Sequence, residues 1–268
     1  MNLSGASYWA LRVFTWMVLG LLYLPLAIIV ILSFNTATSL SWPPDGLWLD
    51  WWRKAAAADA PRDALWTSVK LALASTGVAL VLGTCLSFAL ARYRFFGRSS
   101  LSFLVVLPIA LPGIVTGVAL RNTFLRLGWD LGFRTVVLGH GTFCIVLAFN
   151  NVIARLRRMA PNVQEASADL GAHGMQTFRL VTFPLIRSAL LAGGLLAFAL
   201  SFDEIIVTTF TAGAGVETLP QWILNNFARP NNVPLVTVVA TVVMLLSIPL
   251  AWLAQRLTGE PTGLGAGR

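Results

Sequence analysis

Charge is what this chain lacks, and the gaps fall at membrane length. No Asp, Glu, Lys or Arg occurs between Arg12 and Asp45, Lys70 and Arg92, Arg98 and Arg121, Arg134 and Arg155, or Arg229 and Arg256. Each gap holds an apolar run of roughly 20 residues, enough at ~1.5 Å per residue to cross ~30 Å of hydrocarbon. A sixth run, from about Ser188 to Phe210, is interrupted by Asp203-Glu204. Backbone groups cannot stay unpaired in lipid, and the alternating segments of a barrel are missing, so the spans are expected to be helices. The fold class that follows is an all-α membrane protein with about six transmembrane helices.

Composition agrees. Charged residues make up 11% of the chain, against roughly 25% in an average soluble protein, and mean hydropathy is +0.76. Too little polar material exists to cover a water-facing surface. The first apolar run, from Val13 to about Phe34, is longer than the ~7–15-residue core of a signal peptide, and no clear small-x-small cleavage site follows it. It is expected to remain as an uncleaved helix. The net charge of +8 sits in short loops beside spans, where anionic headgroups attract it, so it argues for lipid contact and not for nucleic acid. Cys85 and Cys144 both fall inside spans and offer neither a disulfide framework nor a zinc spacing.

The loops set an orientation. With the N-terminus inside, the cytoplasmic face receives Arg12, the cluster Arg92, Arg94 and Arg98, the cluster Arg155, Arg157, Arg158, Arg179 and Arg187, and then Arg256 and Arg268. Both tight basic clusters then lie inside, which favours cytoplasmic N- and C-termini. The opposite outer segment, Asn35 to about Trp66, carries Trp42, Trp48, Trp51, Trp52 and Trp66. Tryptophan gathers at the membrane–water boundary; an interfacial segment and a ligand-stacking surface both remain open. The third span contains Pro108, Pro112, Gly113 and Gly117, which suits either a kinked, mobile helix or close helix packing. The Gly-rich tail 258–268 is expected to be flexible.

The most informative segment is the inner loop 155–187. Pro161-Asn162-Val163-Gln164-Glu165 looks like a helix start, with Asn162 able to cap free N–H groups and Glu165 three residues on. The run through Leu170 favours a helix, and Gly171 or Gly174 can end it. Glu165 and Asp169 share a face. A second short helical stretch, with Met175 and Phe178 on one side, leads to Pro184. His140 and His173 have no partners at metal-ligand spacing and are read as structural.

The string EASADLGAHGMQTFRLVTFPL resembles the EAA loop of the permease subunits of bacterial ABC importers, whose pattern is E-A-A, three residues, G, nine residues, I-x-L-P. Glu165, Ala166, Gly171 and Pro184 stand in register, with Ser167 for the third alanine, Val181 for Ile and Phe183 for Leu. LPIALPGIVTGVAL and SFDEIIVTTFTAGAGVETLP extend the likeness to the spermidine/putrescine-type permeases; iron, thiamine, phosphonate and opine permeases share parts of it. The resemblance implies a type I ABC importer permease fold over 1–257. It implies a coupling helix in which Glu165, Ala166, Asp169, Leu170, Gly171 and Ala172 dock on a cytoplasmic ATPase dimer. It also implies a second permease subunit, a different chain, and a periplasmic solute-binding protein, in a bacterial inner membrane. This chain would itself hold no cofactor, ATP and Mg being bound by the ATPase; no GxxxxGK[ST] phosphate loop is present.

Asp203-Glu204 is the only acidic pair within a span. An ionised carboxylate at mid-bilayer costs at least ~2.5–3.5 kcal/mol, so such groups face a cavity or a partner. At least one of these acids, Asp203 before Glu204, is expected to line a pathway for a cationic amine, with Phe202 adding a cation–π contact. Alternatively, the pair could cap a helix break or bond to a partner subunit. Asn150-Asn151 and Thr208-Thr209 are weaker pathway candidates, since polar glue between helices explains them. A secondary transporter would show more intramembrane charge and a repeat. A membrane enzyme would need a nucleophile–base pair or metal cluster. Neither is visible.

Overall fold

The computed structural model describes residues 5–38, 40–160 and 162–258. Helices take up the apolar windows, in the order α1 (Gly5–Leu32), α2 (Asp50–Ala57), α3 (Asp59–Arg92), α4 (Arg98–Ala110), α5 (Gly113–Arg126) and α6 (Phe133–Arg158). They continue as α7 (Asn162–Asp169), α8 (Gly174–Thr177), α9 (Phe183–Asp203), α10 (Ile206–Thr211), α11 (Leu219–Phe227) and α12 (Val233–Thr258). Among the described residues, five stretches are long and apolar enough to cross a membrane unbroken: Ser7–Leu32, Asp59–Arg92, Phe133–Arg158, Gly174–Asp203 and Val233–Arg256. The chain is a multi-pass membrane protein. The tail beyond Thr258, like Pro161, lies outside the described residues.

The third span departs from a single kinked helix. α4 and α5 meet at 106°, and neither, at 13 and 14 residues, reaches across ~30 Å alone. Proline crowds the residue before it out of the helical region. Leu111 accordingly sits at φ −80, ψ 143 and Pro112 at φ −57, ψ 129. Among the described residues the count is five unbroken spans, or six with this bent pair.

Two compact units emerge from the packing, one of residues 1–62 and 223–248, the other of 63–222 and 249–268. In the first, the segment after α1 closes on itself. Thr36 N–H donates to the Gly46 carbonyl (3.2 Å) and Trp48 N–H to that of Phe34 (2.6 Å). Phe34 stacks on Trp52 at 5.2 Å, and Lys54 lies 4.3 Å over the Trp51 ring while paired with Asp50. Trp42 and Trp48 stand exposed.

The second unit is organised by α6. Val136, His140, Cys144, Ala148 and Val152, each four residues on, all have no exposed surface; that spacing makes one continuous stripe along a helix. Small residues let neighbours close on it. A Cβ on Gly83 of α3 would fall 2.9 Å from the Ala148 Cβ, and one on Gly193 of α9 3.1 Å from the Ala148 Cα. Hydroxyls reinforce the seam, with Ser87 Oγ donating to the Phe149 carbonyl at 3.1 Å and Ser75 Oγ to that of Val137 at 3.3 Å. α5 reaches α10 through Gly113 and Gly117, which face Ile206 and Phe210.

Candidate functional site

The inner loop folds into a capped helix and a tight return. α7 begins at Asn162, with Glu165 in its first turn. Its far end is a Schellman turn: Ala172 N–H donates to the Ser167 carbonyl (3.1 Å) and Gly171 N–H to that of Ala168 (2.8 Å). Gly171 sits at φ +81, where a Cβ is strained although nothing lies within 4 Å of it. Gly171→Ala is therefore expected to cost about 1–2 kcal/mol of local stability, and amide exchange at Ala172 should quicken by about 5–30-fold. Gly171→Asn should recover part of that, since Asn tolerates this conformation.

Glu165, Ala166, Asp169 and Leu170 are exposed and Ala172 is half-buried. Leu170, 89% exposed, stands at the tip of the turn. Ser167, where the resemblance has alanine, turns inward, and its hydroxyl meets that of Thr177 at 3.0 Å. This ties α7 to α8. Glu165 also lines an open groove of about 640 Å³ with Arg92, Arg157 and Met159 among its walls.

Between α8 and α9 the chain makes one π-turn, Phe178–Thr182. A proline ring clashes with the carbonyl four residues back, and the wider turn stands just ahead of Pro184, where the Phe183 N–H reaches the Phe178 carbonyl. Phe178 packs edge-on against Phe88 at 5.9 Å and tilted against Phe183 at 6.2 Å between centroids. The helix then runs to Asp203 as one span.

The expected fifth span, to Phe210, breaks at the acidic pair. Glu204 is extended (φ −74, ψ 119), and its two acids have separate fates. The Glu204 Oε1 accepts the Val207 N–H at 2.9 Å, capping a free donor at the start of α10. Asp203 is exposed, with no protein partner among the described residues. Phe202 is half-buried and stacks on Phe198 at 6.0 Å.

Sequence reasoning set His140 aside as structural, and missed what it joins. Its Nδ1 is 2.8 Å from Ser201 Oγ on α9, and its Nε2 is 2.9 Å from Thr208 Oγ1 on α10. Thr208 donates its only hydroxyl proton to the Glu204 carbonyl at 2.8 Å. It must then accept from His140, which assigns the Nε2–H tautomer and leaves Nδ1 to accept from Ser201. The result is one directed chain of hydrogen bonds: Ser201 to His140, His140 to Thr208, Thr208 to Glu204. The available signal was a histidine inside a charge-free window, where both ring nitrogens need partners. Of the weaker candidates, Asn151 donates to the Leu147 carbonyl (2.9 Å) and Thr209 to that of Ile205 (2.8 Å), each within its own stretch of chain.

Residues 79–259 match the family described as binding-protein-dependent transport system inner membrane component. The chain is 32% identical to the putrescine transport system permease protein PotI of Escherichia coli (strain K12) over 231 residues, 83% of this chain and 81% of that protein. It is 32% identical to the spermidine/putrescine transport system permease protein PotC of Haemophilus influenzae over 246 residues, 91% of this chain and 95% of that one. Its fold matches a chain in the crystal structure of a bacterial ABC transporter involved in the import of the acidic polysaccharide alginate. That match has a TM-score of 0.72 at 15% identity and covers 96% of this chain and 99% of the other.

Proposed function

We propose that this chain, which belongs to the family of binding-protein-dependent transport system inner membrane components, is the permease subunit of an ATP-driven importer of polyamines or a related small cationic solute. It works as a transport subunit and not as an enzyme. ATP and Mg bind on a separate cytoplasmic ATPase dimer, and a periplasmic binding protein delivers the solute. A second, different permease chain completes the channel in a bacterial inner membrane, with both termini of this chain cytoplasmic. Glu165, Ala166, Asp169, Leu170, Gly171 and Ala172 form the face that meets the ATPase. Asp203, beside Phe202, is the carboxylate offered to the cation.

One observation carries the reading: Leu170, an apolar side chain 89% exposed, is held out on a hydrogen-bonded turn at the end of α7. Burying such a side chain is worth about 1.5–3 kcal/mol, enough to matter to a docking contact. The identities to polyamine permeases and the free carboxylate of Asp203 support the choice of solute.

The test is co-purification from cells that express the whole system. Leu170→Asp should lower the ATPase retained on this chain by about tenfold or more, with its melting temperature unchanged. Equal retention by the variant sinks the docking assignment. Stimulation of ATP hydrolysis by the loaded binding protein, screened over putrescine, spermidine, thiamine, iron chelates, opines and phosphonates, decides the solute. Stimulation confined to anionic solutes overturns the polyamine assignment.

A further inference from the structure

We propose that His140 is a latch that holds the fifth span open at Glu204, a positioning residue for the transport path. No helix-breaking residue accounts for the break. From Leu195 to Thr211 there is neither glycine nor proline, and a run of this kind in lipid should continue as one helix, which satisfies every backbone group by itself. Within the segment, the Glu204 carboxylate favours the broken form by accepting the Val207 N–H; a second hold comes from outside it.

His140 is placed to supply it. It lies on the buried stripe of α6, with no exposed surface, and its two ring nitrogens hold one residue on each side of the break: Ser201 on α9 and Thr208 on α10. The imidazole therefore acts as a rigid spacer. Through Thr208 it also satisfies the Glu204 carbonyl, an acceptor that a continuous helix would have paired with a backbone N–H four residues on. Without the ring, both hydroxyls lose a buried partner, and the segment lowers its energy by closing into regular helix. Closure would withdraw the Val207 N–H from the Glu204 carboxylate and turn α10 relative to Asp203.

The two ends of the ring can be separated by substitution. Gln places an amide near the position of Nε2 and can still donate to Thr208; Asn reaches only as far as Nδ1 and loses Thr208. Spin labels on cysteines replacing Leu191 and Thr209, both exposed, report the break directly. The background is Cys85→Ala, because Cys85 is exposed while Cys144 is buried. The measurement is made on the complete transporter in lipid vesicles. Eighteen residues of unbroken helix would separate the labelled positions by ~27 Å.

His140→Asn and Thr208→Val should move the distance distribution toward that value, and His140→Gln should leave it at the unsubstituted position. In the double variant His140→Gln, Thr208→Val, the glutamine should no longer protect the break. Uptake should fall about fivefold in His140→Asn and stay within about twofold in His140→Gln. Distances that are the same in all these variants overturn the latch. So does equal damage by Asn and Gln, which would make His140 a simple packing residue.

The functional consequence rests on the assignment of Asp203 to the solute path, and Asp203→Asn tests that assignment separately. Normal uptake by Asp203→Asn with the distance shifts present removes the path reading and leaves the latch standing. Lost uptake in Asp203→Asn with unshifted distances does the reverse.

Discussion

Replacing Gly213 with alanine is expected to cause the largest loss of stability of any glycine-to-alanine change among the described residues. A Cβ built on Gly213 lies 1.8 Å from the carbonyl oxygen of Leu131 and 2.5 Å from its carbonyl carbon. Both are backbone atoms. A side chain in the way could rotate, but here the 131–132 loop itself has to move. That loop is tied down close by: Thr135 Oγ1 donates to the Thr211 carbonyl at 2.8 Å, and Gly132 N–H donates back to Thr135 Oγ1 at 2.8 Å. The cost should reach the upper end of overpacking penalties, about 3 kcal/mol. In detergent, melting followed by tryptophan fluorescence should drop by roughly 5–10 °C. Gly77→Ala is the control, because beyond its own turn of helix nothing lies within 4 Å of the added methyl and a helical alanine is favoured by about 0.5–1 kcal/mol. A Gly213→Ala protein that melts with the unsubstituted one would contradict the close crossing of the two loops.

Asp203→Asn should reduce uptake of a cationic solute by at least about tenfold, while Glu204→Gln should change it little. At ~5 Å and an effective dielectric near 20, one carboxylate attracts one positive charge by about 3 kcal/mol, and the amide gives up most of that. Glu204 has a different task. Its Oε1 receives the Val207 N–H, and a glutamine oxygen can receive it as well. Glu204→Ala removes the acceptor and should lower stability by about 1 kcal/mol. Uptake measured in vesicles with the binding protein and ATPase present, beside a melting curve for each variant, separates charge from capping. Uptake lost in Glu204→Gln and kept in Asp203→Asn would exchange the two roles.

These two acids also show how far the sequence could be read. Adjacent, alike in chemistry and inside one apolar run, they gave a preference for Asp203 in the path, but Glu204's task as a cap on Val207 needed the backbone. Their roles are divided by the extended conformation of Glu204, and that conformation depends on His140, more than sixty positions earlier. The break in the third span is the contrary case. Pro112 acts on its own neighbour Leu111, so a disruption was legible there, although its sharpness, 106°, was not. The inner loop was legible for the same local reason: Asn162, Glu165 and Gly171 write a helix start and stop into ten residues. The π-turn before Pro184 was not foreseen, since a proline permits several ways of avoiding its own clash. Helix length likewise needed the fold. α3 starts at Asp59, well before the charge-free window opens at Lys70, because a helix may carry charge once it leaves the hydrocarbon.

The stripe from Val136 to Val152 bears on how such a subunit can work as a machine. A surface with no free area and with glycine contacts on two sides has no room to slide, because any slip would push backbone into backbone. α3, α6 and the body of α9 must therefore travel as a single stiff plate. Within the apolar runs, bending falls to the breaks at Leu111-Pro112 and Glu204-Ile205. Of these, the first is kept non-helical by the proline ring, which bars Leu111 from the helical region. The second is held only by hydrogen bonds, and force applied to the plate will be released there first.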